Sequence, residues 1–290
     1  LGENRFHPGP WNELSLWLGL AEIEAHYPSH AHHQGVEPLC LHTPDGQSWA
    51  YFRLAHFSSR PGHADQLHID LWWKGLNLAQ DPGTYTYNAL PPWENALTHT
   101  AVHNTVTING LEQMTRAGRF LYLDWAQARL DDFSKNPDGS WQRLAGAHDG
   151  YRRLGLQHLR SVECQPHRWI VTDQVLPTRK REQTVPVSVR LHWLLPDMPY
   201  EFEAQPHNAV MRLQTRYGLV TLGVQSSAAE LQPLLVRGGE RLAGSLPIQP
   251  TWGWTAPTYG YKIPSLSFSV TLNAAAPFTI TSKWDLPSDE

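Results

Sequence analysis

Two histidines and two aspartates between residues 58 and 110 have the types and spacing of metal ligands. His63 and Asp65 lie two residues apart in the first of three segments. Asp81 and His103 follow in the second and third segments, each near the end of a predicted strand. Two imidazoles and one carboxylate that leave a coordination position open suit Zn²⁺ or non-haem iron. Because a single histidine more often satisfies a buried hydrogen bond, the prediction of a metal site depends on all three segments together.

The carboxylate ligand can be assigned in two ways. With Asp65, the pattern His63-x-Asp65 and the distant His103 form a facial triad, which indicates an iron- and 2-oxoglutarate-dependent oxygenase. Such an enzyme also needs a basic anchor for its cosubstrate, for which Arg116 is a candidate. With Asp81, the three ligands come from three separate strand ends. Spacing alone does not decide between the two carboxylates.

The elements that must position these side chains are predicted to be strands. Apolar and mixed residues alternate with period two along residues 66–74 and 104–109, and similar runs recur toward the C-terminal end. Turn-forming residues separate runs at 137–139, 237–239 and 275–277. About ten strands with almost no helix predict a mainly β fold, a large antiparallel β-sandwich. The exception is a short N-terminal helix, predicted from the apolar spacing between Trp11 and Ala25.

Composition excludes several classes of partner. The 290 residues carry a net charge of −4, so bulk charge attracts neither nucleic acid nor an anionic membrane. No apolar run reaches the length of about 18 residues that a membrane helix needs. The two cysteines, Cys40 and Cys164, are too few for a disulfide scaffold and either pair or remain reduced. The 13 tryptophans either fill a large β core or stack on sugar rings.

Three separated segments together resemble the core of the heparinase II/III-like domain. The first is RPGHADQLHIDLWWKGLNLAQDPGTYTYN, which begins at Arg60. The second is THTAVHNTVTING, which begins at Thr98, and the third is AHDGYRRL, which begins at Ala147. The similarity spans roughly residues 49–172 with the segments in the expected order, whereas residues 173–290 carry no recognisable motif.

This resemblance implies the C-terminal β-sandwich, of the supersandwich type, of a polysaccharide lyase. Members of the family join an N-terminal helical toroid to the sandwich and cleave heparan-type glycans, alginate or related uronic-acid polymers in the cleft between them. Residues 1–38 are then a helical connection from a missing toroid, and residues 39–290 form the sandwich. The implied partners are an acidic polysaccharide, the toroid and, as an alternative to a monomer, a second copy of the chain. The implied location is periplasmic or secreted, in a bacterium.

The resemblance also implies site residues. Several members hold a metal ion, usually Zn²⁺, through a His, an Asp and a His that match His63, Asp81 and His103. In other members, histidines of this region line the cleft and assist catalysis, so His63 is either a ligand or a catalytic residue. His68 and Asp70 alternate on the following run, and we predict that they support the ligands from behind.

β-Elimination removes the C5 proton of a uronic acid and expels the O4 substituent, so it needs a base, an acid and a partner for the carboxylate. The candidate catalytic residues are His63, Tyr85, His103 and His148. The candidate substrate-binding residues are Arg60, Tyr87 and Tyr151. Each tyrosine, and His148, also has a purely structural interpretation inside the sandwich. Tyr85 and Tyr87 are expected to share one face of a strand.

The sequence departs from the family pattern in two respects. Residues 97–100 read Leu-Thr-His-Thr where relatives often have an Arg-Ser-Thr run, so a substrate-contacting arginine is missing there. The Tyr and the Asn or His that usually perform the elimination belong to the absent toroid. Two functions of other classes therefore stay open, a non-catalytic carbohydrate-binding or structural β-module and the iron oxygenase.

Overall fold

A computed structural model describes residues 39–138, 140–179 and 185–288 of the protein. The helix predicted between Trp11 and Ala25, like the rest of the predicted connection 1–38, lies outside these residues. Within them the helical structure is limited to single 3₁₀ turns, at Ala96–Thr98, Thr100–Val102 and Arg152–Leu154. Nearly all remaining regular structure is strand, so the prediction of a mainly β fold is confirmed.

The strands of the described ranges number 21. They are β1 (Leu39–His42), β2 (Ser48–Phe52), β3 (Ile69–Trp73), β4 (Leu76–Ala79), β5 (Val106–Ile108), β6 (Thr115–Gly118), β7 (Leu121–Leu123), β8 (Ala128–Lys135), β9 (Gln142–His148), β10 (Leu156–Gln165), β11 (Arg168–Pro177), β12 (Val187–Leu195), β13 (Tyr200–Gln205), β14 (Asn208–Thr215), β15 (Gly218–Gln225), β16 (Gln232–Arg237), β17 (Glu240–Ala243), β18 (Trp254–Thr258), β19 (Tyr261–Pro264), β20 (Leu266–Ala274) and β21 (Phe278–Asp285).

Three antiparallel sheets build the sandwich. The largest has the order β13-β14-β15-β21-β11-β10-β9-β8, the second the order β17-β16-β20-β12-β5, and the third the order β1-β2-β3-β4. Two short hairpins, β6-β7 and β18-β19, stand outside these sheets. The predicted large antiparallel sandwich is therefore confirmed.

One hydrophobic core joins the three sheets. Strand β10 alternates buried and half-buried residues along its whole length, as a strand with one face on a core must. Trp169, Trp193 and Trp284 are among the largest fully buried side chains. The indole N–H of Trp169 donates to Ser48 Oγ of the third sheet over 2.8 Å. These three tryptophans fill the core, which is the first of the two interpretations of the tryptophan excess.

Some predicted strands differ from the observed ones because of local backbone conformation. The run predicted over residues 66–74 becomes a strand only at Ile69, since Leu67 adopts a left-handed φ of 61°. Residues 85–87 form no strand, so the predicted shared face of Tyr85 and Tyr87 does not arise from strand alternation. No disulfide joins the two cysteines, and Cys164 is buried on β10. No helix in the described part of the chain is long and apolar enough to span a membrane.

The β18-β19 hairpin docks on the segment that follows β4 through backbone contacts. The N–H of Ala256 donates to the carbonyl of Pro82 over 2.8 Å, and the N–H of Gly260 donates to the carbonyl of Tyr85 over 2.6 Å. Gly83 lies between them with a φ of +68°, and a Cβ atom there would stand 2.4 Å from the Ala256 carbonyl oxygen. This close approach explains why a glycine is needed at position 83.

We expect Gly83→Ala to lower the free energy of unfolding by about 2–4 kcal/mol, because the left-handed φ and the collision with a carbonyl oxygen act together. Gly110→Ala is the matched control. Its φ is +66° but nothing lies within 4 Å of the added Cβ, so it should cost only about 1–2 kcal/mol. Urea unfolding of both variants measures the difference. Equal losses of unfolding free energy in the two variants would show that steric contact with the hairpin does not destabilise Gly83→Ala.

Candidate metal centre

The three segments singled out in the sequence converge on one point. His63 lies in the loop before β3, Asp81 follows β4, and His103 follows a 3₁₀ turn. His63 Nδ1 lies 3.2 Å from His103 Nε2, and His103 Nε2 lies 3.7 Å from Asp81 Oδ2. Two nitrogens bound tetrahedrally to a zinc ion at about 2.0–2.1 Å are about 3.3 Å apart. The spacing of the two imidazoles therefore fits a shared cation.

The backbone partner of His103 determines which tautomer its neutral ring adopts. His103 is fully buried, and its Nδ1 lies 2.8 Å from the carbonyl oxygen of His99. A carbonyl only accepts, so Nδ1 carries a hydrogen, and in the neutral tautomer Nε2 keeps its lone pair. That lone pair points toward His63 and Asp81, which is the arrangement that a metal ligand requires.

His63 is also held in a form that can bind a cation. Burial, and next the neighbouring His103, lower the pKa of His63 below its usual value, so its imidazole is neutral at pH 7. Its Nε2 lies 3.3 Å from Thr84 Oγ1, which leaves Nδ1 directed at His103. The side chain is half-buried, and it borders the cleft described below.

His68 supports the centre without being a ligand. Its Nδ1 accepts the N–H of Asn104 over 3.0 Å, so the proton of the neutral ring lies on Nε2. Burial lowers the pKa of His68 to about 3, which keeps the ring neutral. The buried Nε2 has no hydrogen-bond partner and faces Asp81 Oδ2 at 3.5 Å. The Nε2–H of His68 thus faces the carboxylate of Asp81, whereas Asp70 Oδ1 is buried without a hydrogen-bond partner, and the supporting role of both residues stays a prediction.

Asp81 is oriented by its own turn. Its Oδ1 accepts the N–H of Gly83 over 2.7 Å, which leaves Oδ2 facing the imidazoles of His68 and His103. Partial burial acts to raise the pKa of Asp81, but the imidazoles and the Gly83 N–H outweigh it and the pKa lies below its usual value. The carboxylate is therefore ionised at neutral pH, and its side chain remains 39% exposed.

Asp65 is a second carboxylate at the centre. Ligand atoms of His63, Asp65 and His103 all lie within 4.8 Å of one another. However, Asp65 Oδ1 accepts from Arg53 Nε over 2.7 Å, so much of its charge is already neutralised by a guanidinium. Asp81 faces imidazoles and has no such competitor in the part of the chain that the structure describes. By distance the compact group of ligand atoms contains Asp65 and omits Asp81, whereas the charge distribution favours Asp81 as the ligand.

Arg116, the candidate anchor of the oxygenase alternative, is held away from the centre. Its Nη1 lies 2.7 Å from His99 Nε2, and its Nη2 donates to the Glu94 carbonyl over 3.0 Å. The guanidinium therefore does not line the cleft. It does reach the segment 97–100 through its contact with His99.

A cleft of about 270 Å³ opens next to the two imidazoles. It is lined by Tyr51, Arg53, Gly62, His63, Asp65, His68 and Asp81. Tyr51 and Arg53 were missed by the sequence analysis, because they lie outside the three motifs. The signal that could have found them is their spacing of two residues at the end of β2, which places both on the same face. Arg53 Nη1 donates to Tyr51 Oη over 3.2 Å.

Asn104 ties the centre to the surrounding strands. Its side-chain amide N–H groups donate to the carbonyls of Ile69, over 2.8 Å, and Gln80, over 3.0 Å. Its Oδ1 accepts the N–H of Leu194 on β12 over 2.7 Å. One buried amide thereby fixes the segments before Asp81 and after His68, and it does so directly beside His103.

A buried ion pair positions the same backbone from the opposite side. Arg160 on β10 and Asp173 on β11 form two hydrogen bonds, of 2.7 Å and 3.0 Å, and both side chains are fully buried. Arg160 Nη1 also donates to the carbonyls of Leu67 and Asn104. These carbonyls belong to residues adjacent to two histidines of the centre. The largest sheet therefore contacts the backbone beside the candidate centre through one guanidinium.

His148 and Tyr151 lie in the interior rather than on the cleft. His148 is fully buried, and its Nε2 lies 3.2 Å from His158 Nδ1, in a chain of contacts that ends at Asp173. Tyr151 is also fully buried and donates its hydroxyl to the carbonyl of Val106 over 2.7 Å. Neither side chain has surface that a polysaccharide could touch. The structure gives no support to the predicted catalytic role of His148 or to the predicted substrate contact of Tyr151.

The remaining predicted residues lie at the surface beside the centre. Tyr85 packs its ring edge against Trp93, and Tyr87 is 41% exposed. Arg60 is exposed and lies over the ring of Phe120, with its guanidinium carbon 5.6 Å from the ring centroid. Arg60 and Tyr87 are exposed and Tyr85 is half-buried, and the contact of these residues with a ligand stays a prediction.

Comparison with known proteins gave a family match and structural matches. Residues 41–281 match the family described as heparinase II/III-like, C-terminal. The heparan sulfate lyase HepC from Pedobacter heparinus superposes with a TM-score of 0.61 at 16% identity. Two heparinase III structures superpose with TM-scores of 0.66 and 0.60, at 16% and 12% identity. At these identities the structural likeness shows the fold alone.

The matched structures are much longer than this chain. HepC aligns with 84% of this chain but only 34% of its own length, and the two heparinase III structures with 95% and 83% against 40% and 34%. The chain therefore spans about a third to two fifths of each of them. Among curated protein sequences no match was found.

The Arg160–Asp173 pair tests how the centre is held. We expect Arg160→Met to lower the free energy of unfolding by about 3–5 kcal/mol, because it removes the cation beside the buried Asp173 and leaves only the imidazole of His158 as its partner. The double variant Arg160→Met/Asp173→Leu removes that charge and should be the more stable of the two. Denaturant unfolding measures both. A double variant no more stable than the single one would show that the hydrogen bonds to the carbonyls, rather than the charge, dominate.

Proposed function

The chain belongs to the heparinase II/III-like C-terminal domain family, and from this we propose that it is the β-sandwich part of a polysaccharide lyase. In this proposal the whole enzyme cleaves a uronic-acid-containing glycan by β-elimination, and a helical toroid outside this chain supplies the other wall of the cleft. The observation that carries the proposal is the convergence of His63, Asp81 and His103 beside an open cleft, inside the region that matches the family.

We further propose that His63, Asp81 and His103 hold a Zn²⁺ ion. The lone pair of His103 Nε2, the neutral ring of His63 and the ionised carboxylate of Asp81 fit this ion. When bound, the ion would supply positive charge that stabilises the carboxylate of the sugar or the fold of the cleft. His68 orients the carboxylate of Asp81, and the Thr84 hydroxyl orients the ring of His63.

The cleft offers groups for the remaining tasks of the reaction. Tyr51 lies against Arg53, whose positive charge favours the deprotonated phenol, although burial raises the pKa of Tyr51 overall. Arg60, at the exposed edge, suits a sugar carboxylate or sulfate. Tyr85 lies farther along the same surface, next to Lys262. We propose that toroid residues complete the proton transfers and that the enzyme works in the bacterial periplasm or outside the cell.

The metal assignment predicts a clear order among the variants. His103→Ala and Asp81→Ala should each weaken Zn²⁺ binding by more than about 100-fold, since even loss of a group that only orients a ligand costs about 10–100-fold. Asp65→Ala should retain the metal, because Arg53 already engages that carboxylate. Metal content after dialysis, measured by mass spectrometry, gives the answer. Loss of metal from Asp65→Ala with retention in Asp81→Ala would contradict the assignment and favour the facial triad.

The activity prediction requires the chain joined to its toroid. We expect an unsaturated product that absorbs in the ultraviolet from at least one polymer among heparan sulfate, hyaluronan and alginate. His63→Ala should lower this rate by about 10²–10⁴-fold, the usual contribution of a positioned acid–base group or its supporting cation. Lys135→Ala, on the exposed strand β8, is the control and should keep full activity. Absence of unsaturated product from every uronate polymer would refute the proposed reaction and favour a non-catalytic module.

A further inference from the structure

The β18-β19 hairpin carries a lysine enclosed by aromatic rings. Lys262 Nζ lies 3.1 Å from the ring centroid of Trp254, 4.3 Å from that of Trp93 and 5.5 Å from that of Tyr85. Trp93 and Trp254 meet edge to face with their centroids 5.8 Å apart. The hairpin and the segment after β4 thus share one cation–aromatic cluster. Its two parts are more than 160 positions apart in the sequence.

A second aromatic group continues this surface. The ring of Tyr87 lies 5.2 Å from that of Tyr259 and 5.2 Å from that of Phe120. The hydroxyl of Tyr259 accepts the N–H of Tyr87 over 3.3 Å. These three rings are 41%, 55% and 42% exposed, and Arg60 lies over Phe120. We call the whole surface the aromatic platform, formed by Tyr85, Tyr87, Trp93, Phe120, Trp254 and Tyr259.

The aromatic platform adjoins the metal centre. Thr255 of the hairpin donates its hydroxyl to the carbonyl of Asp81 over 3.1 Å. Thr84, whose hydroxyl contacts His63, directly precedes Tyr85. A chain-like ligand whose reacting residue lies at the cleft would therefore extend over these rings.

The charges on the platform are arranged for an anion. Within residues 39–138, 140–179 and 185–288, neither Arg60 nor Lys262 has a carboxylate partner. Arg119, close to the same surface, is in contrast paired with Glu94. Burial against the rings lowers the pKa of Lys262, so a nearby anion would relieve the cost of keeping its charge. In a chain of net charge −4, two cations without acidic partners on one aromatic surface indicate an acidic ligand.

We propose that the aromatic platform is a subsite for acidic sugar residues of the polysaccharide, and that the β18-β19 hairpin determines which acidic polymer is accepted. Flat rings match the apolar face of a pyranose, and the two cations meet its carboxylate or sulfate. The subsite rests on the proposed function for its position beside the cleavage point. It extends that function to residues that the three sequence motifs do not contain.

The test measures binding rather than cleavage. The full chain is titrated with a heparan sulfate hexasaccharide, an alginate hexasaccharide and the neutral cellohexaose, with calorimetry and tryptophan fluorescence as readouts. Wild type should bind at least one acidic probe and favour it over cellohexaose. Lys262→Gln and Tyr259→Ala should each weaken this binding by about tenfold, the loss of a charge-assisted contact or of one stacked ring. Lys262→Arg should keep most of the affinity.

Matched controls separate the subsite from general effects. Lys135→Gln removes a cation from the exposed strand β8, and Tyr200→Ala removes an exposed ring from β13. Both should bind as wild type does, and all variants should unfold at the same temperature within a few degrees. Because Tyr259 also accepts a backbone N–H, Lys262→Gln serves as the decisive variant if Tyr259→Ala unfolds early.

The outcomes distinguish this proposal from the lyase proposal. Variant-sensitive binding without unsaturated product from any polymer supports the subsite and refutes the lyase. Eliminative cleavage with unchanged affinity and unchanged KM in Lys262→Gln overturns the subsite and leaves the lyase intact. The absence of binding of either acidic probe to the wild-type chain also overturns the subsite. The subsite would also be overturned if the substitutions changed only the association with the toroid, because the platform would then be a domain interface.

Discussion

The hydrogen bond from His103 Nδ1 to the carbonyl of His99 decides what the centre can do. It commits the proton of a fully buried imidazole to the backbone and directs the lone pair of Nε2 at His63 and Asp81. His68 has the opposite tautomer because Asn104 donates to its Nδ1. One backbone acceptor and one backbone donor thus give two neighbouring histidines different tautomers, with a lone pair on His103 Nε2 and a hydrogen on His68 Nε2.

This difference between His68 and His103 depends on the position of the backbone next to them. The sandwich holds that backbone from two sides. Asn104 fastens it to β12, and Arg160 fastens it to the β10-β11 hairpin. Buried ionic groups are costly to place in a core, so the pair of Arg160 and Asp173 contributes less to net stability than to the definition of one geometry. None of the residues that line the cleft belongs to the largest sheet, yet Arg160 of that sheet binds the backbone next to His68 and His103.

The resemblance implied the set His63, Asp81 and His103, whereas spacing alone left Asp65 and Asp81 as alternatives, and the metal that these residues would hold stays a prediction. The mainly β fold followed from period-two alternation, which survives in strands such as β10 and β11. The sequence analysis left both a structural and a functional interpretation open for His148 and Tyr151, since a polar motif in a turn has the same sequence whether it faces solvent or a sheet. The strand predicted over residues 66–74 is shorter than expected because Leu67 adopts a positive φ, which a pattern of apolar residues does not indicate.

The aromatic platform shows the other limit of sequence reasoning, because its two halves meet only through long-range docking. Main-chain atoms make the hydrogen bonds that join the hairpin to Pro82 and Tyr85, whereas the side chains of Thr255 and Tyr259 contact Asp81 and Tyr87. Hairpin side chains outside these contacts, such as Lys262, can therefore be exchanged without removing any of these hydrogen bonds. The outer surface of the hairpin can thus vary in sequence while the backbone that carries His63, Asp81 and His103 keeps its geometry.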